Sequence, residues 1–325
     1  MRINVIIPNF NGGHLLSPCL DSLHAQTRHP DRVIVVDNGS TDGSRKIVEE
    51  HPVTPLLVSF PENRGFAAAV NHGIKAYEAD VVALLNNDMV CDPRWIEYGE
   101  KALELYERAD MVASLVLQSR ARDLVDSAGD RFPPSARPAH VSHGRRAASL
   151  AGHSMEVVSP CAGAAFYRKS MFSETDYFEE SFFAYLEDVD LGIRARSQGR
   201  HCLFFPQAVT YHLGAATELD DKKAKKPVDS AFRVRWIAEN RVRVVARNLP
   251  SSFLIGWLPW IAAGLVRSAA YHLFVSGQAR AFREGFFQGL AKWRQDRRSF
   301  KSAPRPAFRD VEALMKKGAI PWQSL

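Results

Sequence analysis

The sequence predicts an α/β fold built on a mostly parallel central sheet with helices on both faces. Short, continuously apolar segments alternate with segments of helical spacing through the N-terminal part of the chain. Strands that are apolar on both faces are typical of parallel sheets covered on both sides. Polar clusters follow three of the apolar segments, and open α/β sheets bind ligands beyond the carboxyl ends of their strands.

The individual elements follow from hydrophobic spacing, taken in chain order. The first strand is the apolar run at 3–8, and the first helix spans 14–26, where apolar residues share one face. The run "RVIVVD" is the second strand, and we expect Ser40 or Asp42 to cap the helix after it. A strand at 54–60, a small-residue helix at 64–77 and a strand at 80–88 complete this part of the chain.

Composition and charge limit the classes of function. The chain of 325 residues is long enough for one large domain or two. Its formal net charge of +6 suits phosphates, nucleic acid or an anionic membrane surface. The 4 cysteines form no CxxC pair, which argues against a zinc site or a disulfide framework. The first apolar run is short and contains an Asn, so we expect no signal peptide.

Polar residues cluster where three predicted strands end. The clusters are "PNFN" at 8–11, "DNGSTD" at 37–42 and "NND" at 86–88. The Asp37 carboxylate can accept hydrogen bonds from a sugar hydroxyl or a base edge, and Gly39 and Gly43 allow a ligand close to the backbone. Any one cluster is compatible with an ordinary turn, but three strand ends together favour a ligand site. A dinucleotide-binding GxGxxG is absent, because the first turn reads "PNFNGG".

Five segments in series resemble family 2 glycosyltransferases of the GT-A fold. In chain order they are "VIIPNFN", "VVDNGSTDGS", "NRGFAAAVN", "LLNND" and "YLEDVDLGIRARSQG". The likeness covers residues 3–215 and is greatest to the rhamnosyltransferase-like branch of bacterial surface polysaccharide synthesis. It implies a Rossmann-like sheet and an inverting transferase that uses a nucleotide diphosphate sugar, with dTDP-rhamnose favoured over UDP-sugars. The acceptor implied is a hydroxyl of a lipid-linked or polysaccharide glycan.

The resemblance also implies roles for residues at matching positions. The residues that it predicts to bind the donor are Pro8, Asn9, Asp37, Arg64, Asn86 and Asn87. Asp88 and His212 would hold Mg2+ or Mn2+, since hard cations prefer oxygen ligands and imidazole completes the set. The residues that the resemblance predicts to line the acceptor or sugar pocket are Ala162, Gly163, Ala164 and Glu187. Asn86 departs from the family's DxD pattern and adds no negative charge, so we expect weaker metal binding.

Asp188 is the expected general base. It follows an aromatic run and opens an amphipathic helix in "FFAYLEDVDLGIRARSQG". A general base must lie within hydrogen-bond reach of the hydroxyl that it deprotonates. Carboxylates are also favoured at a helix start, so capping by Glu187, Asp188 and Asp190 is the structural alternative.

The segment 118–157 is predicted to be a long loop. It is rich in Gly, Pro, Ser, Arg and His and has no useful periodicity. Loops of this length are usually lids or disordered segments. Three arginines in it, Arg137, Arg145 and Arg146, either contact phosphate or are merely solvated.

The sequence changes character after residue 220. We therefore predict a GT-A domain at 1–220 and a helical, membrane-interfacial region at 221–325. Within that region the predicted segments are a charged linker at 218–227, a basic helix at 230–248, an uncharged stretch at 249–266 and a mixed aromatic and basic stretch at 274–301. The uncharged stretch suits an interfacial helix on an anionic membrane, a buried helix or dimer interface, or a membrane span.

Two functional hypotheses from different classes follow. The first is a metal-dependent inverting glycosyltransferase, cytoplasmic and peripheral on the inner face of the bacterial cell membrane. The second, favoured only by Asn86, is a non-catalytic GT-A-like subunit that binds a nucleotide sugar within a membrane complex. We expect no nucleic-acid partner, since no such binding motif is present. Homo-oligomerisation remains open.

Overall fold

A computed structural model of the chain describes residues 1–214, 230–299 and 305–322. The first half consists of β1 (Ile3–Asn9), α1 (Gly13–His24), β2 (Arg32–Asp37), α2 (Ser44–Glu50), β3 (Leu56–Ser59), α3 (Phe66–Ala76), β4 (Val81–Leu85), β5 (Met89–Cys91), α4 (Trp95–Leu105) and β6 (Ala109–Gln118). These are followed by β7 (Ala121–Ser127), β8 (Asp130–Arg131), β9 (Ala139–His140), β10 (Met155–Val157), β11 (Ala164–Arg168), α5 (Ser170–Thr175), α6 (Glu187–Ser197) and β12 (His201–His212). The C-terminal elements are α7 (Ala231–Asn248), α8 (Ser251–Phe274), α9 (Ala279–Ser299), α10 (Arg305–Lys317) and β13 (Ala319–Pro321).

A large mixed sheet forms the centre of the molecule, in the order β13-β10-β12-β6-β11-β4-β1-β2-β3. The four strands β4, β1, β2 and β3 are parallel, as the apolar runs predict. β11 then lies antiparallel between β4 and β6, and β12 is parallel to β6. The α/β class with a Rossmann-like parallel half is therefore confirmed.

Both faces of this sheet are buried, which explains the continuously apolar strands. In β1, Ile6 packs into one core cluster, while Val5 and Ile7 pack into the cluster on the other face. This alternation is the period-2 geometry of a strand. Full burial of such a side chain contributes about 1.5–3 kcal/mol, so every strand residue adds to the stability of the sheet.

The predicted element ends are correct to within a few residues. The fourth strand ends at Leu85 rather than 88, because the "NND" residues form a turn. The N-cap of α2 is Gly43, whereas Asp42 accepts the backbone N–H groups of Ser44 and Gly13, both at 3.0 Å. Asp42 thus ties the start of α2 to the start of α1.

The prediction of a long loop at 118–157 is wrong. This segment contains β7, β8, β9, β10 and a 3₁₀ helix at Ala147–Leu150. β7 pairs with the preceding β6 and β8 with β9, whereas β10 pairs with the distant β12 and β13. β8, β9 and β10 have only two or three residues, too few to produce a recognisable period, and β7 has no alternating apolar pattern, so none of them has a local sequence signal.

The C-terminal elements pack against the sheet domain. The basic helix predicted at 230–248 is α7, and the Ser230 hydroxyl caps it by accepting the Arg233 N–H at 3.2 Å. A third core cluster joins Val189 and Ile193 of α6 to α7, α8 and α10. β13, which the sequence analysis missed, pairs with β10 at the sheet edge. The charged linker predicted at 218–227 lies outside the described residues, and the division at residue 220 stays a prediction.

α8 contains the uncharged stretch of the sequence. Its length and composition are sufficient to cross a membrane, and 17% of its most apolar 18-residue window is buried. Large apolar side chains on it are exposed: Ile255, Leu258, Trp260, Val266, Leu273 and Phe274. An apolar outward face is the reverse of what a helix at the surface of a water-soluble domain presents.

Candidate active site

The ends of β1 and β2 form the first part of the site. Asn9 and Asp37 are register partners and are almost fully buried. The Asn9 amide nitrogen lies 3.4 Å from Asp37 Oδ1, and the Asn87 amide donates to Asn9 Oδ1 at 2.7 Å. Arg45 Nε donates to Asp37 Oδ2 at 2.8 Å. The sequence analysis missed Arg45, although it is the second residue of the helix that follows the "DNGSTD" loop.

Arg64 lies on the loop before α3, close to the end of β2. Its backbone N–H donates to Asn38 Oδ1 at 2.8 Å, which fixes the loop to the end of β2. Its guanidinium lies 5.0 Å from the centroid of the Phe60 ring and 4.0 Å from Glu180. The side chain is 52% exposed. Its charge is therefore accessible to a base or a phosphate.

Two buried side-chain oxygens of the "NND" turn accept no hydrogen bond from the residues that the structure describes. Asn86 donates its backbone N–H to Gly163 O at 2.8 Å. Within the described ranges, Asn86 Oδ1 and Asp88 Oδ1 are buried and accept no hydrogen bond. A buried acceptor left unsatisfied costs about 1–3 kcal/mol. Such oxygens are suited to a hard divalent cation, which prefers oxygen ligands.

His212 lies beside Asp88 because of strand register. β5 follows the turn directly and pairs with the end of β12, so that Met89 lies opposite His212. His212 Nε2 is 3.1 Å from Asp88 Oδ2, and its Nδ1 is 2.8 Å from Asp126 Oδ2. Burial alone would lower the pKa of His212, but the hydrogen bonds to Asp126 and Asp88 raise it to about 10.

This donor set fits a divalent cation. A metal-binding histidine usually donates its second ring N–H to a carboxylate, which fixes its orientation. Asp126 supplies that carboxylate, while Asp88 and Nε2 of His212 face each other as the ligand pair. Asp126 was missed because it lies on β7, within the segment predicted to be a loop.

Asp188 stands in the first turn of α6. Its Oδ2 accepts the backbone N–H of Ala162 at 3.1 Å, and its Oδ1 accepts that of Val189 at 2.8 Å. Burial, followed by the negative charge of Asp130, raises the pKa of Asp188 to about 7. A carboxylate with a pKa near neutrality is well matched to general base chemistry.

The three acids at this helix start have different environments. Asp190 is fully buried and accepts hydrogen bonds from Arg194, Arg247 and Asn248. Burial alone would raise the pKa of Asp190, but the two arginines lower it, so it is a structural anion. Glu187 is buried, and burial together with the Asp188 charge raises its pKa well above the usual range. Asp188, with a pKa of about 7, is therefore the acid suited to exchange a proton near neutral pH.

Small residues connect the metal-ligand pair to the base. Ala162 donates to Asp188, and Gly163 accepts from Asn86. A Cβ on Gly163 would lie 2.9 Å from Met89 Cε and 3.2 Å from the Asn86 amide nitrogen, so a larger residue would displace both side chains. Ala164 begins β11 opposite Leu85. One short segment thus fixes both halves of the site.

The loop before Asp188 has an unusual backbone. Phe183, Tyr185 and Leu186 have φ angles of 64°, 69° and 67°. Such conformations of non-glycine residues cost about 1–3 kcal/mol each and cluster at functional sites. Asn240 of α7 holds them, since its amide nitrogen lies 2.9, 3.0 and 2.8 Å from the carbonyl oxygens of Phe182, Ala184 and Tyr185.

We expect Asn240→Leu to lower kcat by about a hundredfold, because a misplacement of about 1 Å in a reacting group has that effect. The donor KM should stay unchanged, since Asn240 is a positioning residue that acts through the Asp188 loop. Gln288→Leu, at an exposed amide on α9, is the matched control. Steady-state kinetics with a thermal melt would test this. An unchanged kcat in a folded variant would show that the contacts of Asn240 with this loop are dispensable.

A second group of metal-type side chains lies near the base. Donor atoms of Asp130, His140 and Cys161 lie within 4.8 Å of one another. His140 Nδ1 is 2.7 Å from Asp130 Oδ1, and both residues influence the pKa of Asp188. Asp130 and His140 therefore form a polar wall beside Asp188. This wall was not predicted from the sequence.

The comparison with known families agrees with this geometry. Residues 4–175, more than half of the chain, match the family described as glycosyl transferase family 2. The chain belongs to this family. The resemblance inferred from the five sequence segments is therefore confirmed.

Several curated proteins are similar to part of this chain. A glycosyltransferase of Nostoc, itself uncharacterised, is 34% identical over 115 residues, which are 34% of this chain and 35% of that relative. The match thus spans about a third of that protein. An N-acetylglucosaminyl-diphospho-decaprenol L-rhamnosyltransferase of Mycobacterium tuberculosis is 26% identical over 64% of this chain and 75% of its own. The O-antigen biosynthesis protein RfbC of Myxococcus xanthus is 27% identical over 68% of this chain and 18% of its own.

Solved structures of similar shape establish the GT-A fold. TarS of S. aureus, in complex with UDP-GlcNAc, has a TM-score of 0.58 at 18% identity over 98% of this chain and 92% of that one. The mannosyltransferase PcManGT of Pyrobaculum calidifontis, with GDP-Man and Mn2+, has a TM-score of 0.56 at 17% identity over 89% and 87%. GalNAc-T7 with UDP, GalNAc and Mn2+ has a TM-score of 0.63 at 14% identity over 96% and 57%.

Proposed function

We propose that the protein is an inverting glycosyltransferase that moves a sugar from a nucleotide diphosphate donor to a hydroxyl of a lipid-linked or polysaccharide acceptor. The observation that carries this is the connection of two chemically distinct centres by residues 162–163. One centre is the Asp88–His212 pair, which suits a cation and diphosphate. The other is Asp188, a carboxylate with a pKa near 7.

The donor nucleotide is assigned to the pocket at the ends of β1 and β2. Asp37 and Asn9 are buried polar groups that can recognise a base edge, and Arg64 can reach a base carbonyl or a phosphate. We favour dTDP-rhamnose because of the rhamnosyltransferase named among the relatives. UDP-sugars are next, since TarS binds UDP-GlcNAc.

Asp88 and His212 are assigned to Mg2+ or Mn2+, with Asp126 orienting the imidazole. The cation, when bound, neutralises negative charge on the departing diphosphate. Asn86 contributes a neutral oxygen at most, which lowers the charge of the ligand set. The Mn2+ in two of the similar structures supports this assignment.

Asp188 is assigned to accept the proton of the acceptor hydroxyl as that oxygen attacks the anomeric carbon. One displacement of this kind inverts the anomeric configuration. The Ala162 and Val189 N–H groups fix both oxygens of the carboxylate without neutralising it. The acceptor side is assigned to buried Glu187, the small residues 162–164 and the polar wall of Asp130 and His140.

A panel of nucleotide sugars tests this function against the alternative of a non-catalytic binding subunit. We expect one donor to raise the melting temperature, more so with Mn2+, since a ligand that binds the folded state stabilises it. Slow hydrolysis of the same donor should accompany binding. Stabilisation without any hydrolysis or transfer would favour the non-catalytic subunit.

We further propose that α8 lies on the inner face of the cell membrane, where a lipid-linked acceptor would be available. Its exposed apolar face and the basic residues of α9 suit an anionic interface. The relative that acts on a decaprenol carrier supports this location.

Charged substitutions on α8 should weaken membrane binding. We expect Trp260→Glu and Phe274→Glu each to reduce flotation with anionic liposomes by about tenfold, because each side chain contributes about 1.5–3 kcal/mol when buried in lipid. Leu105→Glu, at an exposed leucine on α4, is the matched control and should float normally. Equal flotation of all three variants would overturn the proposed orientation.

A further inference from the structure

The three helices α7, α8 and α9 enclose an apolar groove of about 330 Å3. We call it the α7–α9 groove. Its wall is apolar except for one residue, Arg241, and includes Val245, Leu258, Ile261, Phe286 and Trp293. A cavity of this size and composition is in the range that binds small apolar molecules or chains.

Arg241 is a buried charge that has no carboxylate partner within residues 1–214, 230–299 and 305–322. Only 3% of the residue is exposed. Its two terminal nitrogens donate to Ser268 Oγ at 2.8 Å and Ser135 O at 2.7 Å, while its buried Nε has no partner in the described part of the chain. Burying a charge in this way is unfavourable unless an opposite charge is supplied.

Two other arginines of α7 are paired with carboxylates, which is the usual way to compensate a buried positive charge. Arg243 is paired with Asp296 at 3.0 Å, and Arg247 with Asp190 at 3.2 Å. Arg241, by contrast, has only neutral partners among the residues described. Burial, and then the positive charge of exposed Arg137, lower the pKa of Arg241 to about 10. Two positive groups without an acid are a suitable setting for an anion.

The packing around Arg241 is adapted to hold the guanidinium in place. Gly264 of α8 faces it, and a Cβ there would lie 2.8 Å from the guanidinium and 2.2 Å from Ser135 O. A larger residue would displace both groups. The chain therefore keeps space for this charge beside an apolar wall.

The helix that carries Arg241 also supports the loop before Asp188. Asn240, adjacent to Arg241 on α7, holds that loop through its amide nitrogen. Arg241 itself contacts Ser135, which follows Asp130 by five residues in the chain. α7 therefore contributes both to the groove and to the candidate active site.

We propose that the α7–α9 groove binds the isoprenoid chain of a polyprenyl diphosphate-linked acceptor, and that Arg241 and Arg137 bind its diphosphate. This inference rests on the proposed function and deepens it by naming the carrier of the acceptor. The apolar wall matches the hydrocarbon chain, and the uncompensated arginine matches the diphosphate. Arginine suits this role because its planar donors pair with phosphate oxygens.

Calorimetric titration of the full chain with farnesyl diphosphate tests the proposal. The titration is done in EDTA, so that a cation at Asp88 cannot bind the diphosphate. Farnesol and inorganic pyrophosphate are titrated separately, since each carries one half of the proposed ligand. Arg241→Gln removes the charge, and Leu258→Gln alters the groove wall at a side chain that is 63% exposed. Arg235→Gln on α7 and Leu105→Gln, at an exposed leucine on α4, are the matched controls outside the groove.

We expect farnesyl diphosphate to bind much more tightly than either fragment. Its affinity should fall by at least about tenfold in Arg241→Gln and in Leu258→Gln, and stay unchanged in the controls. Equal binding of farnesol, without an effect of Arg241→Gln, would show a membrane-insertion face and overturn the proposal. Dimerisation lost in Leu258→Gln, with no ligand bound, would assign the groove to a second copy and also overturn it.

Donor binding separates this proposal from the proposed function. If Arg241→Gln does not fold, as judged by its melt, Leu258→Gln decides the outcome. A chain that binds a nucleotide sugar with Mn2+ but not farnesyl diphosphate keeps the proposed function and refutes the groove assignment. A chain that binds farnesyl diphosphate but no nucleotide sugar refutes the proposed function and supports a lipid diphosphate site.

Discussion

Asp188→Asn should lower the rate of glycosyl transfer by at least about a hundredfold while nucleotide-sugar binding stays near normal. The substitution keeps the shape of the side chain and removes its basicity. The acceptor hydroxyl is a poor nucleophile near neutral pH, so its proton must leave as the new bond forms. Donor binding depends on Asp37 and Asp88, which lie on other strand ends. Single-turnover transfer, together with donor titration, measures the two effects separately.

Glu187→Gln is the matched control for this variant. Burial and the Asp188 charge raise the pKa of Glu187 and so disfavour its charged form, and replacing it with a neutral amide should therefore change the rate much less. Near-wild-type transfer by Asp188→Asn would place the base elsewhere. Loss of donor binding or folding in Asp188→Asn would mean that the carboxylate serves only to start α6.

The raised pKa of Asp188 predicts a pH dependence with a definite sign. Transfer by the wild-type chain should rise with pH through about 7, because the carboxylate must lose its proton to act as a base. The residual activity of Asp188→Asn should not show this rise with pH. The folded-state pKa lies above the ordinary 3.8, so wild-type stability should fall, relative to Asp188→Asn, as pH rises from about 4 through 7.

Asp88→Ala should abolish most transfer, by about a hundredfold or more, and EDTA should have the same effect on the wild-type chain. The variant loses the carboxylate that faces His212 and the buried oxygen that has no donor. Asp126→Asn should lose less, about ten- to a hundredfold, because it only orients the imidazole. Isothermal titration with Mn2+ measures this order directly, and His153→Gln, at an exposed histidine, is the control. Full activity in EDTA would refute the metal assignment.

The sequence predicted the parallel half of the fold because its strands are continuously apolar and their polar ends are conspicuous. Asp37 and Asp88 stood out for that reason, whereas Asp188 was predicted from its place at the start of an amphipathic helix and from the family resemblance. Their proximity in the structure depends on two backbone contacts of 162–163, which no spacing in the sequence shows. His212 reaches Asp88 through the β5–β12 register, again a long-range property.

Residues supplied by irregular or distant elements were the ones missed. Asp126 lies on β7, which pairs with the preceding β6 but has no alternating apolar pattern, in a segment that reads as a loop. Asn240 and Arg241 occupy helix positions where polar residues are ordinary, and only tertiary packing shows that both are buried. β13 is three residues long, too short to carry a periodic signal, yet it pairs at the sheet edge.

The anomeric configuration of the product tests the account most directly. The donor identified by the nucleotide-sugar panel is incubated with an acceptor, and the new linkage is examined by proton NMR before any equilibration. A hydroxyl activated by Asp188 that displaces the diphosphate in one step must give the configuration opposite to that of the donor sugar. Inversion is the result that the account predicts. Retention would require a second displacement on a nucleophile other than the acceptor, and would contradict the role given to Asp188.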